Sequence, residues 1–329
     1  MNNTANVISV DPRSELIQEL ERKGAFYTVK LLENYWFQNM DSESDENLVG
    51  QYQSTGKCTV VNMDTNKVIG VVSKKYVPVL NEDIFTQFDS VLINCPRVDL
   101  TGASVNVQTN GDGARIMVEY VLPAHQVTLA NGDKVALSIT ALNSFDGSTG
   151  FKVFCGGLRF KCMNGMILGD TVASYQKKHC AGLSIEAAGK VIETGLNAYL
   201  NGVDSWNAQI TAAITPQTAW KCLAEFAGMK DYADYETYKD YNLKRDKNNA
   251  DGTARKLVID SYYAILKQYI RELGATEWAL NNALTHIATH GKMLPVDPNN
   301  KPSIQSQISK TEAARKLINK YLNKGVDSQ

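Results

Sequence analysis

Residues 114–142, ARIMVEYVLPAHQVTLANGDKVALSITAL, contain the pattern that decides the fold. Residues typical of β-strands lie on both sides of Asn131-Gly132. Asn-Gly is a turn dipeptide because both residues tolerate positive φ. The stretch therefore predicts two antiparallel strands, near 114–122 and 133–142.

Further segments before and after this stretch share the strand pattern and border a turn. They are 98–109, which ends at Asn110-Gly-Asp-Gly113, the pair 58–62 and 68–72, and the pair 151–155 and 158–162 around Gly156-Gly157. We interpret the last two pairs as β-hairpins. An antiparallel sheet is therefore predicted from about residue 57 to residue 163.

Beyond Gly182 the pattern changes, because apolar residues recur every three to four positions, as in helices. The predicted helices are 184–200, 217–227, 254–273 and 276–290. Pro295, Pro298 and Pro302 mark a linker, and residues 311–324 form a short basic amphipathic helix.

These elements predict an α+β protein in which an antiparallel β-meander sheet is followed by a mostly helical C-terminal half. Its predicted parts are an N-terminal helical and acidic segment at 1–56, a sheet core at 57–182, a helical half packed on the sheet at 183–294, and a linker with a basic tail helix at 295–329.

The composition is that of an ordinary folded protein, with 43% hydrophobic and 21% charged residues. No apolar run is long enough to span a membrane, and the N-terminus lacks a basic region followed by an apolar core. None of the six cysteines forms a C-x-x-C pair, so we interpret them as reduced thiols. We expect a cytoplasmic protein without a membrane partner.

Charge is unevenly distributed along the chain. Residues 1–50 contain nine acids and four bases, whereas residues 301–325 contain six bases and one acid. The split is compatible with a contact between protomers, with a tail that binds nucleic acid through Lys316 and Lys320, or with two solvated ends. The tail is predicted to be removable without unfolding residues 57–292.

The usual signatures of catalysis are missing, including a glycine-rich phosphate loop, G-x-S-x-G and H-E-x-x-H. Cys155, Cys162 and His179 lie near one another in sequence but lack the close spacing of zinc ligands, so no metal or cofactor is expected. A hydrolase or transferase that uses Asp146 with His179 remains the weakest hypothesis, since Asp-Gly-Ser also forms turns for conformational reasons alone.

The hairpin predicted at 151–162 gives a more specific hypothesis. Strand alternation turns Phe151, Val153, Leu158 and Phe160 to the core, and it places a cationic and aromatic set on the outer face. This set is Lys152, Phe154, Arg159 and Lys161. Cations beside an aromatic ring bind the phosphates and bases of single-stranded DNA, although a solvated outer face also contains lysines.

Several stretches resemble, in the same order, a family carried by phages and plasmids and known as domain of unknown function 932. They are the segments 61–81, with Leu80 in place of a glutamine, 143–148, with Phe145 in place of a histidine, 159–164, 178–179 and 276–290. The matching positions include Asp64, Tyr76, Asn81, Asp146, Gly147, Ser148, Cys162, Asn164, His179, Trp278, Asn282 and His290.

No established reaction comes with this resemblance. By a looser analogy, a β-meander followed by helices is similar to the single-strand annealing proteins of phage recombination. We therefore predict binding or annealing of single-stranded DNA in the replication or recombination of a mobile element, by a homo-oligomer in a bacterial host. The alternative is a protein-interaction factor that acts on a host or defence component.

Overall fold

A computed structural model of the chain describes residues 13–39, 50–159, 164–166, 175–177, 185–229, 250–292 and 301–322. The protein is an α+β fold with antiparallel sheets in its N-terminal half and helices in most of its C-terminal half, as predicted.

The first three strands of the chain form a small sheet. It comprises β1 (Val29–Asn39), β2 (Gly50–Asn62) and β3 (Lys67–Ser73), which pair antiparallel in the order β1-β2-β3. The hairpin predicted at 58–72 is confirmed as β2 and β3. Residues 1–56 were predicted to be a helical and acidic segment; they contain α1 (Glu15–Arg22) but also β1 and the first half of β2.

A second, larger sheet forms the centre of the molecule. Its strands are β4 (Ser104–Asn110), β5 (Arg115–Thr128), β6 (Lys134–Ser144), β7 (Phe151–Arg159), β8 (Asn164–Met166) and β9 (Tyr175–Lys177). The strands β4 to β7 pair in sequence order, and both β8 and β9 pair with the remaining edge of β7. The predicted meander is confirmed.

Three helices cover one face of the large sheet. They are α1 (Glu15–Arg22), α2 (Asn81–Asn94) and α3 (Ile185–Thr211). Leu20, Phe88 and Leu196 from these helices pack with Val118 and Ile139 of the sheet in one hydrophobic core. Leu80 is the N-cap residue of α2, and Asn81 is its first helical residue.

The C-terminal half has a core of its own. Its helices are α4 (Pro216–Phe226), α5 (Ala250–Leu273), α6 (Glu277–His290) and α7 (Ile304–Tyr321). The tail helix α7 contributes Leu317, Ile318 and Leu322 to this core, where all three are buried. Its predicted apolar stripe is therefore confirmed.

The hairpin predicted at 151–162 is wrong. Residues 151–159 form one strand that pairs with β6 from Lys152 to Arg159, and neither Gly156 nor Gly157 adopts the positive φ of a tight turn. Alternation therefore continues through the two glycines. Arg159 shares the core-facing side of β7 with Phe151, and its predicted exposure is wrong because it is fully buried.

Because β7 continues through the two glycines, Leu158 lies on a different face of the sheet from the one predicted. Its burial is confirmed, but it lies on the opposite face of the sheet, against Val121 and Ala136. The predicted burial of Phe151 and Val153 is confirmed. Phe160 and Lys161 lie outside the described residues.

Candidate functional site

The first two strands extend past β3 as a two-stranded arm, residues 34–39 and 50–56. β3 pairs with β2 only along residues 57–62, whereas β1 and β2 continue to pair from Tyr35 to Asn39. The arm has four large aromatic side chains with high solvent exposure. The exposed fractions are 54% for Tyr35, 47% for Trp36, 40% for Phe37 and 75% for Tyr52. Because aromatic rings gain much free energy from burial, four exposed together indicate a binding surface.

The aromatic side chains point to two faces. Phe37 lies opposite Tyr52 across the ladder, and Tyr35 shares their face because alternate residues of a strand point the same way. The ring centroids of Phe37 and Tyr52 are 5.3 Å apart, with planes tilted by 57°. We call this the aromatic face. Trp36 points to the other face, which we call the aliphatic face and which also contains Leu32, Val68 and Val71.

The arm has a regular outer strand because β2 absorbs an irregularity. While β1 advances from Glu33 to Tyr35, its partner on β2 changes from Cys58 to Ser54. The additional residues of β2 surround Gly56, which has a φ of 69°, a value that glycine adopts at little cost. The Asn34 Oδ1 atom accepts hydrogen bonds from the Thr59 amide at 3.1 Å and the Thr59 hydroxyl at 2.7 Å.

A charged contact ties the arm to the end of β3. The Lys74 Nζ atom and the Ser54 hydroxyl each donate a hydrogen bond to Glu33 Oε1 at 2.6 Å. These bonds, first from Lys74 and then from Ser54, lower the pKa of Glu33 to about 2. A hydrogen bond with Glu33 raises the pKa of Tyr35. Glu33 therefore stays ionised, and Tyr35 stays protonated, throughout the physiological pH range.

Three exposed lysines lie at the base of the arm. They are Lys57, Lys74 and Lys75. Lys57 pairs with Ser73 across the ladder, and the Lys74 amide donates to the Gly56 carbonyl at 3.0 Å, so the backbone of these residues lies close together. Strand alternation places the Lys57 side chain on the aliphatic face, whereas Lys74 lies beside Glu33 on the aromatic face. Positive charge beside exposed rings is the combination that binds single-stranded nucleic acid.

The residues predicted to bind DNA do not form one surface. Lys152 and Phe154 lie partly exposed on the face of the large sheet opposite to Arg159, which is buried. Lys316 and Lys320 lie on α7 in the helical half, where the Lys320 Nζ atom is 2.6 Å from Glu225 Oε2. Lys161 lies outside the described residues.

Arg159 instead lies in a buried polar cluster that joins the sheet to the helical half. Its guanidinium contacts Asp133 Oδ1 at 2.8 Å, Glu272 Oε1 at 2.9 Å and Asn282 Oδ1 at 3.4 Å. The Trp278 indole donates to Asp133 Oδ2 at 3.0 Å. Burial alone would raise the pKa of Asp133, but the hydrogen bonds from Arg159 and Trp278 outweigh it, and the pKa is lowered. We call these five residues the Arg159 cluster.

A second group of motif residues joins the two sheets. Arg115 Nε lies 2.8 Å from Asp146 Oδ2, while Asp146 Oδ1 accepts from the Ser148 amide at 2.9 Å. Both carboxylate oxygens are therefore engaged in structural contacts. A Cβ built on Gly70 of β3 would lie only 2.7 Å from the Asp146 Cα atom, so the small sheet approaches this turn closely.

Neighbouring motif side chains complete the junction between the sheets. The Tyr76 hydroxyl donates to the Ser144 carbonyl at 3.0 Å, and Asn143 Nδ2 donates to Asn81 Oδ1 at 2.8 Å. Asn81 Nδ2 in turn donates to the Ala25 carbonyl at 2.9 Å. Burial raises the pKa of Tyr76. These contacts anchor loops and strand ends.

The remaining motif positions are dispersed. Asp64 lies in the turn between β2 and β3, and its Oδ1 atom accepts from the Thr28 amide at 3.4 Å. Gly147 has a φ of 73°, and His290 is buried beside His286 with ring centroids 5.4 Å apart. Asn164 pairs with Arg159 as the first residue of β8. Cys162 and His179 lie outside the described residues.

Within the described ranges, no three His, Cys, Asp or Glu side chains converge to hold a metal ion. None of the helices in those ranges is long and apolar enough to cross a membrane. The described cysteines Cys58, Cys95, Cys155 and Cys222 are buried free thiols.

The fold and these polar contacts define an α+β protein whose sheet half is joined to its helical half by buried charge. The family described as "Domain of unknown function (DUF932)" matches residues 68–318. Because the match covers most of the chain, the protein belongs to this family. No curated protein and no solved structure matches the chain. The Arg159 cluster lies within the matched range, whereas the arm precedes it.

The sequence did contain a signal for the arm. Tyr35, Trp36 and Phe37 are consecutive aromatic residues in a segment where an amphipathic strand would alternate them with polar ones. A strand with aromatic side chains on both faces must either be buried on both sides or leave one side available for binding.

Proposed function

We propose that the chain binds single-stranded DNA through the arm, as a homo-oligomer that acts in the replication or recombination of a mobile element in a bacterial cytoplasm. The observation that carries the proposal is the aromatic face, where Tyr35, Phe37 and Tyr52 are exposed, together with the exposed lysines at the base of the arm. The resemblance of the motifs to a family carried by phages and plasmids supports the mobile element.

The chemistry of the arm suits bases that must remain available for pairing. An aromatic ring that stacks on a base contributes roughly 1–3 kcal/mol and leaves the pairing edge of the base free. Lysines neutralise phosphates without reading sequence. Together these contacts would hold a strand open for annealing, and they require no nucleotide cofactor.

The aromatic contribution is tested with the Tyr52→Ala variant, because Tyr52 is the most exposed aromatic side chain of the arm. Loss of one stacking contact is expected to weaken binding of a labelled oligothymidylate by about tenfold or more, measured by fluorescence anisotropy. Ile93→Ala, an exposed apolar side chain on α2, is the matched control. Unchanged affinity of the Tyr52→Ala variant would contradict the proposal.

The electrostatic contribution is tested by salt. If Lys57 and Lys75 neutralise two phosphates while Lys74 stays paired with Glu33, the logarithm of the association constant should fall with the logarithm of salt concentration with a slope of roughly −1.4. The Lys57→Gln variant should lower the magnitude of that slope, whereas Lys316→Gln on α7 should not change it.

A protein-interaction factor is the second candidate, and the aliphatic face favours it. Val68 and Val71 are more than half exposed there, beside Leu32 and Trp36, and DNA bases do not require aliphatic contacts. The salt series separates the two functions. A wild-type protein that binds neither single-stranded nor double-stranded DNA at the lowest salt would favour a protein partner.

A further inference from the structure

The outer edge of β1 is the longest strand edge that the small sheet exposes. β1 pairs with β2 on one side, and within the described parts of the chain no strand pairs with its other side. An unpaired edge presents a row of backbone donors and acceptors that can pair with another strand. Proteins usually block such edges with proline, lysine or a bulge. β1 has no proline, its only lysine is Lys30, and the irregularity in its pairing with β2 lies in β2.

The other edge of the small sheet is better protected. β3 has seven residues, with Lys67 at one end and Lys74 directly after the other. It also contains an irregularity where it pairs with Val60 and Val61. Strand addition is therefore expected at β1 rather than at β3.

We propose that a second copy of this chain pairs antiparallel with β1 about a twofold axis at Asn34, which joins two small sheets into one sheet of six strands. Asn34 is the central residue of β1, so this register pairs each strand along its whole length. The pairing provides the interface of the homo-oligomer named in the proposed function. It rests on the proposed function only for the existence of that oligomer.

Self-complementarity supports this occupant. In antiparallel pairing, residues directly opposite each other share a face. The register about Asn34 places Leu32 opposite the Trp36 position of the second copy on the aliphatic face. On the aromatic face it places Leu31 opposite Phe37 and Glu33 opposite Tyr35.

No like charges lie opposite each other in this register, since Lys30 faces the uncharged Gln38. A shift by two residues towards the N-terminus of β1 would instead bring Glu33 opposite its own copy, which is unfavourable. A shift by a single residue would pair the aromatic face with the aliphatic face. Of these three registers, only the full-length one both keeps like faces together and avoids opposing like charges.

The register is tested by exchanging charge at one cross-strand pair, using sedimentation velocity over a concentration range. Leu32→Glu and Trp36→Lys, each alone, should weaken self-association by at least about tenfold, because each replaces an apolar contact with a lone charge. In the double variant the new carboxylate lies opposite the new ammonium, and association should recover in part. Both side chains are about half exposed, so thermal melting of the single variants should match the wild type.

Val71→Glu is the control that separates edge pairing from stacking of two aliphatic faces. Val71 lies on β3, away from the β1 edge, so its substitution should leave self-association unchanged. A monomeric wild-type protein would overturn the proposal, and so would dissociation by Val71→Glu without recovery in the double variant. Because the readout is mass, failure of DNA binding alone would not affect this result.

Discussion

Arg159 is enclosed by two carboxylates and has no access to solvent. Removing one member of a buried ion pair leaves an uncompensated charge, at a cost of roughly 3–5 kcal/mol. We expect Arg159→Met to lower the free energy of unfolding by about that amount in urea denaturation. Arg159→Met combined with Asp133→Asn should cost less than the sum of the two single changes, because the double variant buries neither of these charges. Strict additivity would contradict direct coupling.

The same pair predicts a dependence of stability on pH. The folded protein lowers the pKa of Asp133 below its value in the unfolded chain, which is about 3.9. The resulting stability is present above that pH and is lost as the pH falls through the folded pKa. Relative to the wild type, Asp133→Asn should therefore show a shallower loss of stability below about pH 4. Equal slopes in the two unfolding curves would argue against an ionised Asp133.

Gly70 is needed for close approach rather than for backbone freedom. An added Cβ would lie 2.7 Å from the Asp146 Cα atom, and backbone cannot move aside as a flexible side chain can. We expect Gly70→Ala to destabilise the protein by roughly 1–3 kcal/mol. The matched control is Val71→Ala at the adjacent exposed position, which should cost well under 1 kcal/mol in the same thermal melts.

At the scale of elements, the periodicity of apolar residues predicted the helices and the meander. It failed at Gly156-Gly157 and at β1. Gly156-Gly157 has the composition of a turn, yet pairing of both glycines with β6 keeps the strand continuous and buries Arg159. No local pattern could indicate this, because the partners that stabilise a buried Arg159 lie far away in sequence at Asp133 and Glu272. β1 was missed because aromatic residues on both of its faces remove the alternation that identifies a strand.

The packing of the tail helix α7 argues against the prediction that the tail can be removed without unfolding residues 57–292. Ala314, Leu317, Ile318 and Leu322 lie in the core of the helical half, so deletion of residues 303–329 should expose that core. We expect the truncated protein to lose the cooperative unfolding of its helical half, measured by circular dichroism. Lys320→Ala, which removes an exposed ion pair with Glu225 and a cation–π contact with Tyr321, should cost about 0–1 kcal/mol. A truncated protein that melts like the wild type would restore the view of a solvated tail.

In the molecule as a whole, the two cores are joined by charge and by one aromatic residue. Trp278 of α6 belongs to the core of the sheet half and packs against Trp206 of α3, with ring centroids 6.3 Å apart. The same indole donates to Asp133 in the Arg159 cluster. The family match covers this joined body, whereas the arm extends from it with exposed rings. The body therefore accounts for stability, and the arm is the part of the described chain that we expect to act on a ligand.

The two proposals together predict how binding depends on DNA length. In a dimer joined through β1, the aromatic faces of both arms lie on one side of a shared sheet, so a long oligothymidylate can contact both, while a short one contacts a single arm. Linked contacts raise the apparent affinity by a factor that depends on the span between them, often about 100-fold or more. We expect wild-type affinity to rise sharply once the oligonucleotide is long enough to bridge the arms, measured by fluorescence anisotropy over a length series.

The Leu32→Glu variant provides the decisive comparison for this length dependence, since its substitution lies on the aliphatic face and leaves Tyr35, Phe37 and Tyr52 in place. It should bind short oligonucleotides as the wild type does but show only a gradual increase with length. A wild-type protein without a step in affinity would show that each arm binds DNA alone. A step that persists in a monomeric Leu32→Glu variant would show that a second DNA contact lies within one copy of the chain, and Lys152 with Phe154 on the outer face of the large sheet would then be the first residues to substitute.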